Sequence, residues 1–393
     1  MLEWLIVGGG VHGTCVSRAL VEEGGVRPDR VAVLDPHEEP LRRWEECTAA
    51  TGMEFLRSPG VHHLAAEPMD LYRFARRLPE GREARFRGAT GRPALALFRA
   101  HARQEIRRVG LERLRLRGRA ERLTVRRGGG LRVESPRGTL EARRVVLALG
   151  AGEQPLWPGW ATALRAEGGR IHHVFEPGFR RGALEPWRHA VVVGGGVSAV
   201  QTALALARRQ AGGVTILARH ELRIHPYDTD PCWMGPKCMH DQWEPVGPVR
   251  RREILRQVRH RGSVPPDVER ELRRREARGE LVLLQGEVTA ARRDGEAWMA
   301  LERDRARGTL EGDLVVLATG FDPRCPGGAW LEAAVAELGL PCAPCGYPLP
   351  DRGLRWHPGL WVTGPLAELE LGPAARNILG ARLATRRLLA ARS

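Results

Sequence analysis

Two glycine clusters carry the clearest chemistry in this chain. Gly8-Gly9-Gly10-Val11-His12-Gly13 spells G-x-G-x-x-G, directly after the apolar run Leu5-Ile6-Val7 and before a stretch of helical character, Thr14 to Glu23. Gly8 permits the tight turn, Gly10 lets backbone approach a pyrophosphate, and Gly13 lets helix and strand pack closely. The unpaired N–H groups of the helix start would receive the phosphates. A second apolar run, Val31 to Leu34, ends in Asp35, about 20 residues on, where an acid is placed to hydrogen-bond a ribose hydroxyl. The pattern then repeats: strand Ala190 to Val193, Gly194-Gly195-Gly196-Val197-Ser198-Ala199, helix Val200 to Arg209, strand Val214 to Leu217. This copy ends at Arg219 with no carboxylate. An arginine there accommodates a 2′-phosphate that an acid would repel, with Arg208 or Arg209 as helpers. One chain with an acid-ended and an arginine-ended copy is expected to take FAD at the first and NADPH at the second.

The elements around these loops predict an α/β protein of two Rossmann-like three-layer domains. The expected division gives a first part of the FAD domain to 1–165, an inserted NADPH domain to 166–308, and the returning FAD domain to 309–393. Val145 to Gly150 and Leu314 to Gly320, the latter continuing into Phe321-Asp322-Pro323, are apolar strands ending in glycine, where backbone can pass close beneath a cofactor. Leu360 to Gly364 is a third such strand, followed by Leu371-Gly372-Pro373 and a helix expected over Ala374 to Ala391. Trp44 to Pro68 has neither helical nor strand period, and so long an irregular stretch in an α/β domain is more often functional than idle. Leu114 to Glu141 alternates like an antiparallel meander. The insertion between Leu222 and Leu281 holds a proline-studded, aromatic loop, Pro226 to Lys237, readable as a lid or as a structural excursion.

Composition narrows the function classes. The chain has 393 residues, 42% hydrophobic and 28% charged, and a net charge of +15. Lys237 is the only lysine, and the arginines are scattered and interleaved with glutamates instead of forming a basic-aromatic patch. That distribution argues against nucleic acid as the partner and for a field that attracts anionic cofactors. No apolar stretch approaches the ~20 residues of a membrane span. An apolar strand starting at Leu5 leaves no room for a signal peptide, so a cytoplasmic location is expected. Seven irregularly spaced cysteines agree with a reducing compartment. His62 and His63 are adjacent and would point to opposite faces of an extended stretch, so no metal centre is read from them. Cys342-Ala343-Pro344-Cys345 offers the C-x-x-C of a disulfide reductase, and Cys232, Cys238, Cys342 and Cys345 a two-plus-two zinc arrangement; loop cysteines without a role are the plainer alternative.

Together these residues resemble the flavoproteins with two dinucleotide-binding domains, and within them the class B flavin monooxygenases nearest the lysine and ornithine N-hydroxylases. The paired GGGVHG and GGGVSA loops, the VVLALG and VVLATGFDP strands and the terminal GLWVTG carry the likeness. Trp44 followed by Met53-Glu54-Phe55-Leu56-Arg57 is similar to that branch's tryptophan and Met-Gln-x-Phe-Leu-Lys stretch beside the flavin, with Glu54 in place of glutamine. Gly168 to His173 resembles its glycine-to-histidine linker. The resemblance implies an FAD- and NADPH-dependent monooxygenase that forms a C4a-hydroperoxyflavin and hydroxylates a small amine. It marks Met53, Glu54 and Arg57 as flavin-facing candidates. Gly8, Gly10, His12, Gly13, Asp35, Trp44, Gly150, Gly364, Leu371 and Asn377 would serve the flavin nucleotide, and Gly194, Gly196, Ser198, Ala199, Arg219 and Gly320 the second nucleotide and its junction. A pyridine-nucleotide disulfide reductase and a non-catalytic redox sensor are the other classes compatible with the motifs.

Overall fold

The fold was obtained as a computed structural model, which describes residues 1–392 except 80, 82–84, 89, 296–297 and 305–307. Buried apolar runs lay down the first sheet. β1 (Leu2–Val7) leads through the glycine loop into α1 (Val11–Glu22), and β2 (Val31–Asp35) returns beside β1. Two helices on its flanks, α2 (Arg42–Thr51) and α3 (Asp70–Arg76), precede the long α4 (Leu95–Val109). β3 (Arg115–Arg117) joins β2 in parallel. The expected meander follows: β4 (Arg122–Val125), β5 (Leu131–Ser135) and β6 (Gly138–Leu147). β6 then runs parallel to β1.

The chain crosses over through α5 (Gly159–Ala166) and β7 (Ile171–His173). The second unit contains β8 (Ala190–Val193), α6 (Val197–Ala207) and β9 (Val214–Ala218). An excursion with α7 (Pro248–Val258) and α8 (Pro266–Ala277) intervenes before β10 (Val282–Gln285). The antiparallel strands β11 (Val288–Asp294), β12 (Trp298–Arg303) and β13 (Thr309–Gly312) precede β14 (Leu314–Leu317). After α9 (Ala329–Leu338), β15 (Arg355–His357) and β16 (Leu360–Val362) rejoin the first sheet, and α10 (Ile378–Ala390) packs on α1. The two sheets have the orders β15-β16-β6-β1-β2-β3 and β10-β9-β8-β14-β7. The second is parallel throughout, and in the first only β15 and the middle meander strand β5 run against the rest. These are the two Rossmann-like halves expected from the sequence.

Four expectations change. Trp44 to Thr51 is helical, not irregular: Leu41 and Gly52, both in the left-handed region, bracket α2, and its Thr48, Ala50 and Thr51 face inward. A short helix whose buried face is threonine and alanine gives little apolar period to read. The second domain also begins earlier and ends later than 166–308. Ala161 and Leu164 of α5 share a core with Ile171, Val191 and Leu217 of the second sheet, and β14 pairs with β8 and β7. Residues 309–317 therefore lie with the second unit. The last helix starts at Ile378, after a 3₁₀ turn over Pro373–Arg376, because the Asn377 side chain caps it by accepting from Gly380 N at 3.0 Å. Finally, Cys232 and Cys238 form a disulfide. Among the described residues no helix is long and apolar enough to cross a membrane.

Candidate functional site

Because β1, β2, β6 and β16 run in parallel, their carboxyl ends share one edge, and the predicted residues of the first loop meet there. The first loop is shaped by sterics that only glycine satisfies. Gly8 sits at φ +111°, where a Cβ would stand 2.5 Å from Ala148 O, and a Cβ on Gly13 would stand 1.8 Å from Gly8 O. A Cβ on Gly10 would meet nothing within 4 Å. The loop backbone at Gly10 therefore faces open space, as a phosphate cradle requires.

Asp35, at the end of β2, is buried. Its carboxylate accepts from Gly9 N at 2.5 Å and His37 N at 2.9 Å, and Arg115 Nη2 lies 3.1 Å away. A carboxylate offers about four lone-pair directions, so one remains for a ribose hydroxyl. Arg115 was not anticipated from sequence; it comes from β3, about 80 residues away, and its guanidinium lies over Gly9. Three buried polar atoms in α1 and in the segments after β2 and β6 have no partner: His12 Nε2, His37 Nε2 and Gln154 Oε1. Unsatisfied buried groups are rare in finished proteins, and the open space at Gly10, two residues before His12, fits a bound dinucleotide.

His12, Gly364 and Asn377 come together from distant parts of the chain. His12 Nδ1 is 2.8 Å from Thr363 Oγ1, and its ring lies 3.4 Å from where a Cβ on Gly364 would stand. Burial lowers the His12 pKa to about 4, against a raising contact from the Asn377 backbone, so the ring is neutral at pH 7. Trp44 is half-buried against Phe98, at 5.1 Å between ring centroids, on the helix whose lead residue Leu41 donates its N–H to Gly9 O. Leu371 lies in the first core and exposes no polar group. Gly150 follows β6 in a nearly empty surround.

The second loop repeats the architecture with one difference. Gly194, at φ +148°, passes 2.6 Å (as a Cβ) from Ala318 O, and Ala199 is fully buried in the first turn of α6 next to Ser198. Gly320 is at φ +86° with open space around it, and its carbonyl accepts from Leu156 N, stitching the crossover to β14. Arg219 at the end of β9 is 71% exposed, with Glu287 at 4.0 Å its nearest acid. A cation so weakly engaged is available to a phosphate. Gly196, however, is roofed: a Cβ there would stand 3.2 Å from Gly262 of the excursion. Loop and arginine fit NADPH, and the Gly262 turn lies where the pyrophosphate would approach.

The predicted flavin-facing stretch lines a cavity of about 80 Å³ between Gly52–Arg57 and α6 and α8. Met53 packs on the first core. Glu54 is paired with Arg208 at 2.5 Å, so this arginine, expected to help at the 2′-phosphate, is engaged elsewhere. Arg57 donates to His225 O at 2.9 Å, Tyr227 O at 2.5 Å and Ser263 Oγ at 2.7 Å. Burial lowers its pKa to about 10, and it holds the excursion instead of facing an open site. The excursion is latched a second time, by Arg252, Arg259 and Arg376 around the fully buried Glu368. Sequence reasoning gave no sign of this cluster, since its members are single arginines among many.

The cysteine expectations divide. Cys232 and Cys238 are bonded to each other and so cannot be thiolate ligands beside Cys342 and Cys345. Those two are free thiols in the loop after α9. Ala343 and Tyr347 of that loop share a core with Trp233 and Trp243 of the excursion.

Residues 5–152 match a family model described as FAD-NAD(P)-binding. No curated protein matches the sequence. Among solved structures, the chain is similar to the ornithine N-hydroxylase of Kutzneria sp. 744, at 18% identity and TM-score 0.76, covering 100% of this chain and 99% of that one. The reduced ornithine hydroxylase of Pseudomonas aeruginosa gives 17% identity and TM-score 0.76, over 99% and 98%. A cadaverine monooxygenase of Erwinia amylovora bound to FAD gives 16% and 0.74, over 99% and 94%. At such identities the likeness establishes the fold, and it extends end to end.

Proposed function

We propose that the chain is an FAD-dependent, NADPH-oxidising monooxygenase that hydroxylates a small amine in the cytoplasm. One observation carries this reading: a single fold, end to end that of the N-hydroxylases, holds an acid-ended glycine loop and an arginine-ended one on separate sheets. When bound, FAD would supply hydride acceptance from NADPH and activation of dioxygen, the cofactor's own chemistry.

The chain's residues would bind, orient and exclude water. The α1 N-terminus and Asp35 hold the pyrophosphate and ribose of FAD. The neutral His12, braced on Thr363, presents its unpartnered Nε2 as a donor or acceptor beside Gly364 and the start of α10. Arg219 holds the 2′-phosphate of NADPH, beside the loop at Gly196. Met53 and Glu54 border the inter-sheet cavity, while Arg57 clamps the excursion over it and limits water entry. The net reaction converts NADPH, dioxygen, an amine and a proton into NADP⁺, a hydroxylamine and water.

The purified protein should be yellow with bound FAD, and should consume oxygen with NADPH faster when ornithine, lysine or a diamine such as cadaverine is present. A colourless protein that takes up no FAD would refute the cofactor assignment. A yellow protein whose oxygen uptake ignores every amine would refute the substrate class.

A further inference from the structure

Outside the dinucleotide loops, the structure buries a group of metal-ligand character between α3 and α4. Asp70 lies in the first turn of α3; His101 and Glu105, four residues apart, share one face of α4. One ligand atom from each lies within 4.8 Å of those of the others. His101 is 0% and Glu105 3% exposed.

Hydrogen bonding leaves lone pairs over. His101 Nε2 is 2.8 Å from Asp70 Oδ2, while its Nδ1 is buried with no partner. His63, also 0% exposed, meets His101 edge-on with ring centroids 4.9 Å apart. Its Nε2 is 3.0 Å from Pro68 O, which can only accept, so Nε2 carries the proton and the orphaned Nδ1 a bare lone pair. Two touching imidazoles, both fully buried and His101 against Phe74, each with one nitrogen fixed by an oxygen and the other unpartnered, are costly. A ring nitrogen held by a carbonyl, as His63 Nε2 is by Pro68 O, is also how ligating histidines are oriented.

We propose that Asp70, His101 and Glu105 bind one divalent transition-metal ion of the zinc class, with the His63 ring packed beside His101. One imidazole and two carboxylates suit such an ion. The acids have spare capacity: Arg108 forks onto Glu105 at 3.1 and 2.7 Å and Arg73 lies 3.8 Å from Asp70, but each carboxylate oxygen keeps a second lone pair. The ring proton of His101 goes to the nitrogen that does not ligate, so the ring releases none. The ion would tie α3 to α4, whose first residue, Leu95, donates its N–H to Glu54 O. It would thereby brace the Met53–Arg57 stretch.

The test uses the full chain, stripped with chelator, exposed to zinc or manganese, desalted and analysed for metal by mass spectrometry, with thermal denaturation in parallel. One ion per chain and a raised Tm are expected. Asp70→Asn, at a half-exposed position, and Glu105→Gln should each weaken binding on the order of tenfold or more, while Cys342→Ser and Cys345→Ser should leave it unchanged. No retained ion in the native protein, or retention unaffected by both carboxylate variants, or loss caused by the cysteine variants, would overturn the proposal.

Discussion

Replacing Glu368 by glutamine should release the excursion from the C-terminal segment, and the size of the effect follows from the local charges. The Glu368 carboxylate is 0% exposed and accepts from Arg252 Nη1 at 2.5 Å, Arg259 Nη1 at 2.7 Å and Arg376 Nε at 2.6 Å. Burial alone would raise its pKa, but Arg259, Arg376 and Arg252 together lower it from 4.5 to about 2. At 1.36 kcal/mol per unit, the ionised carboxylate contributes about 3 kcal/mol. The folded pKa lies below the unfolded one, so this stability is complete above pH 4.5 and disappears as pH falls towards 2. Glu368→Gln also leaves three guanidiniums without their counter-charge, and breaking a buried pair from one side costs about 3–5 kcal/mol. Hydrogen exchange over residues 243–259 and 364–377 reads this opening locally, which suits a chain with two sheets that need not unfold together. At pH 7 the variant should exchange there about 100-fold faster or more, which is about 3 kcal/mol, and the gap between variant and native protein should narrow by pH 3. A gap under 1 kcal/mol at pH 7, or one of equal size at pH 3, would refute the argument.

Three further predictions address the proposed cofactors and the rival chemistry. Arg219→Ala should raise the KM for NADPH by about 5- to 30-fold and leave that for NADH unchanged, since a charge-assisted contact of about 1.5–3 kcal/mol is discounted for an arginine 71% exposed; equal changes for both nucleotides would remove it as discriminator. Gly13→Ala should abolish flavin retention or folding, because its Cβ would fall 1.8 Å from Gly8 O, whereas Gly10→Ala, with open space around it, should fold and lose FAD affinity. Flavin absorbance and circular dichroism separate the two. Cys342→Ser should leave NADPH-driven oxygen uptake intact, and loss of that activity would revive the disulfide-reductase reading.

The dinucleotide loops were legible because everything that defines them is local. A glycine whose Cβ would strike the neighbouring carbonyl, an apolar strand before it and a charged residue one strand later all lie within about 30 residues. The arginine or acid stands at the strand end beside the glycine loop, so its type states an expected preference from local sequence alone. The family resemblance marked Met53 to Arg57 as the flavin-facing stretch, but not what these residues do in this fold. Arg57 spends its donors on carbonyls 168 and 170 positions away, and Glu54 faces Arg208. Helix α2 was hidden because its inward face is threonine and alanine, and the domain limits because β14 reads as a strand without saying which sheet it joins.

By itself, then, the sequence determined two largely parallel sheets with a glycine loop on each, and an expectation of which loop takes which ribose, because backbone sterics and strand-end charge act over short distances. Only the tertiary structure decided the contacts between segments far apart in the chain. Asp70 and His101 are 31 positions apart, and Glu368 lies 116 from Arg252. Each is an unremarkable polar residue in isolation. The fold turns Glu368 into a counter-ion for three arginines and sets Asp70 against the buried His101, because in a low-dielectric interior a charge or a lone pair must be met by whatever the fold brings beside it.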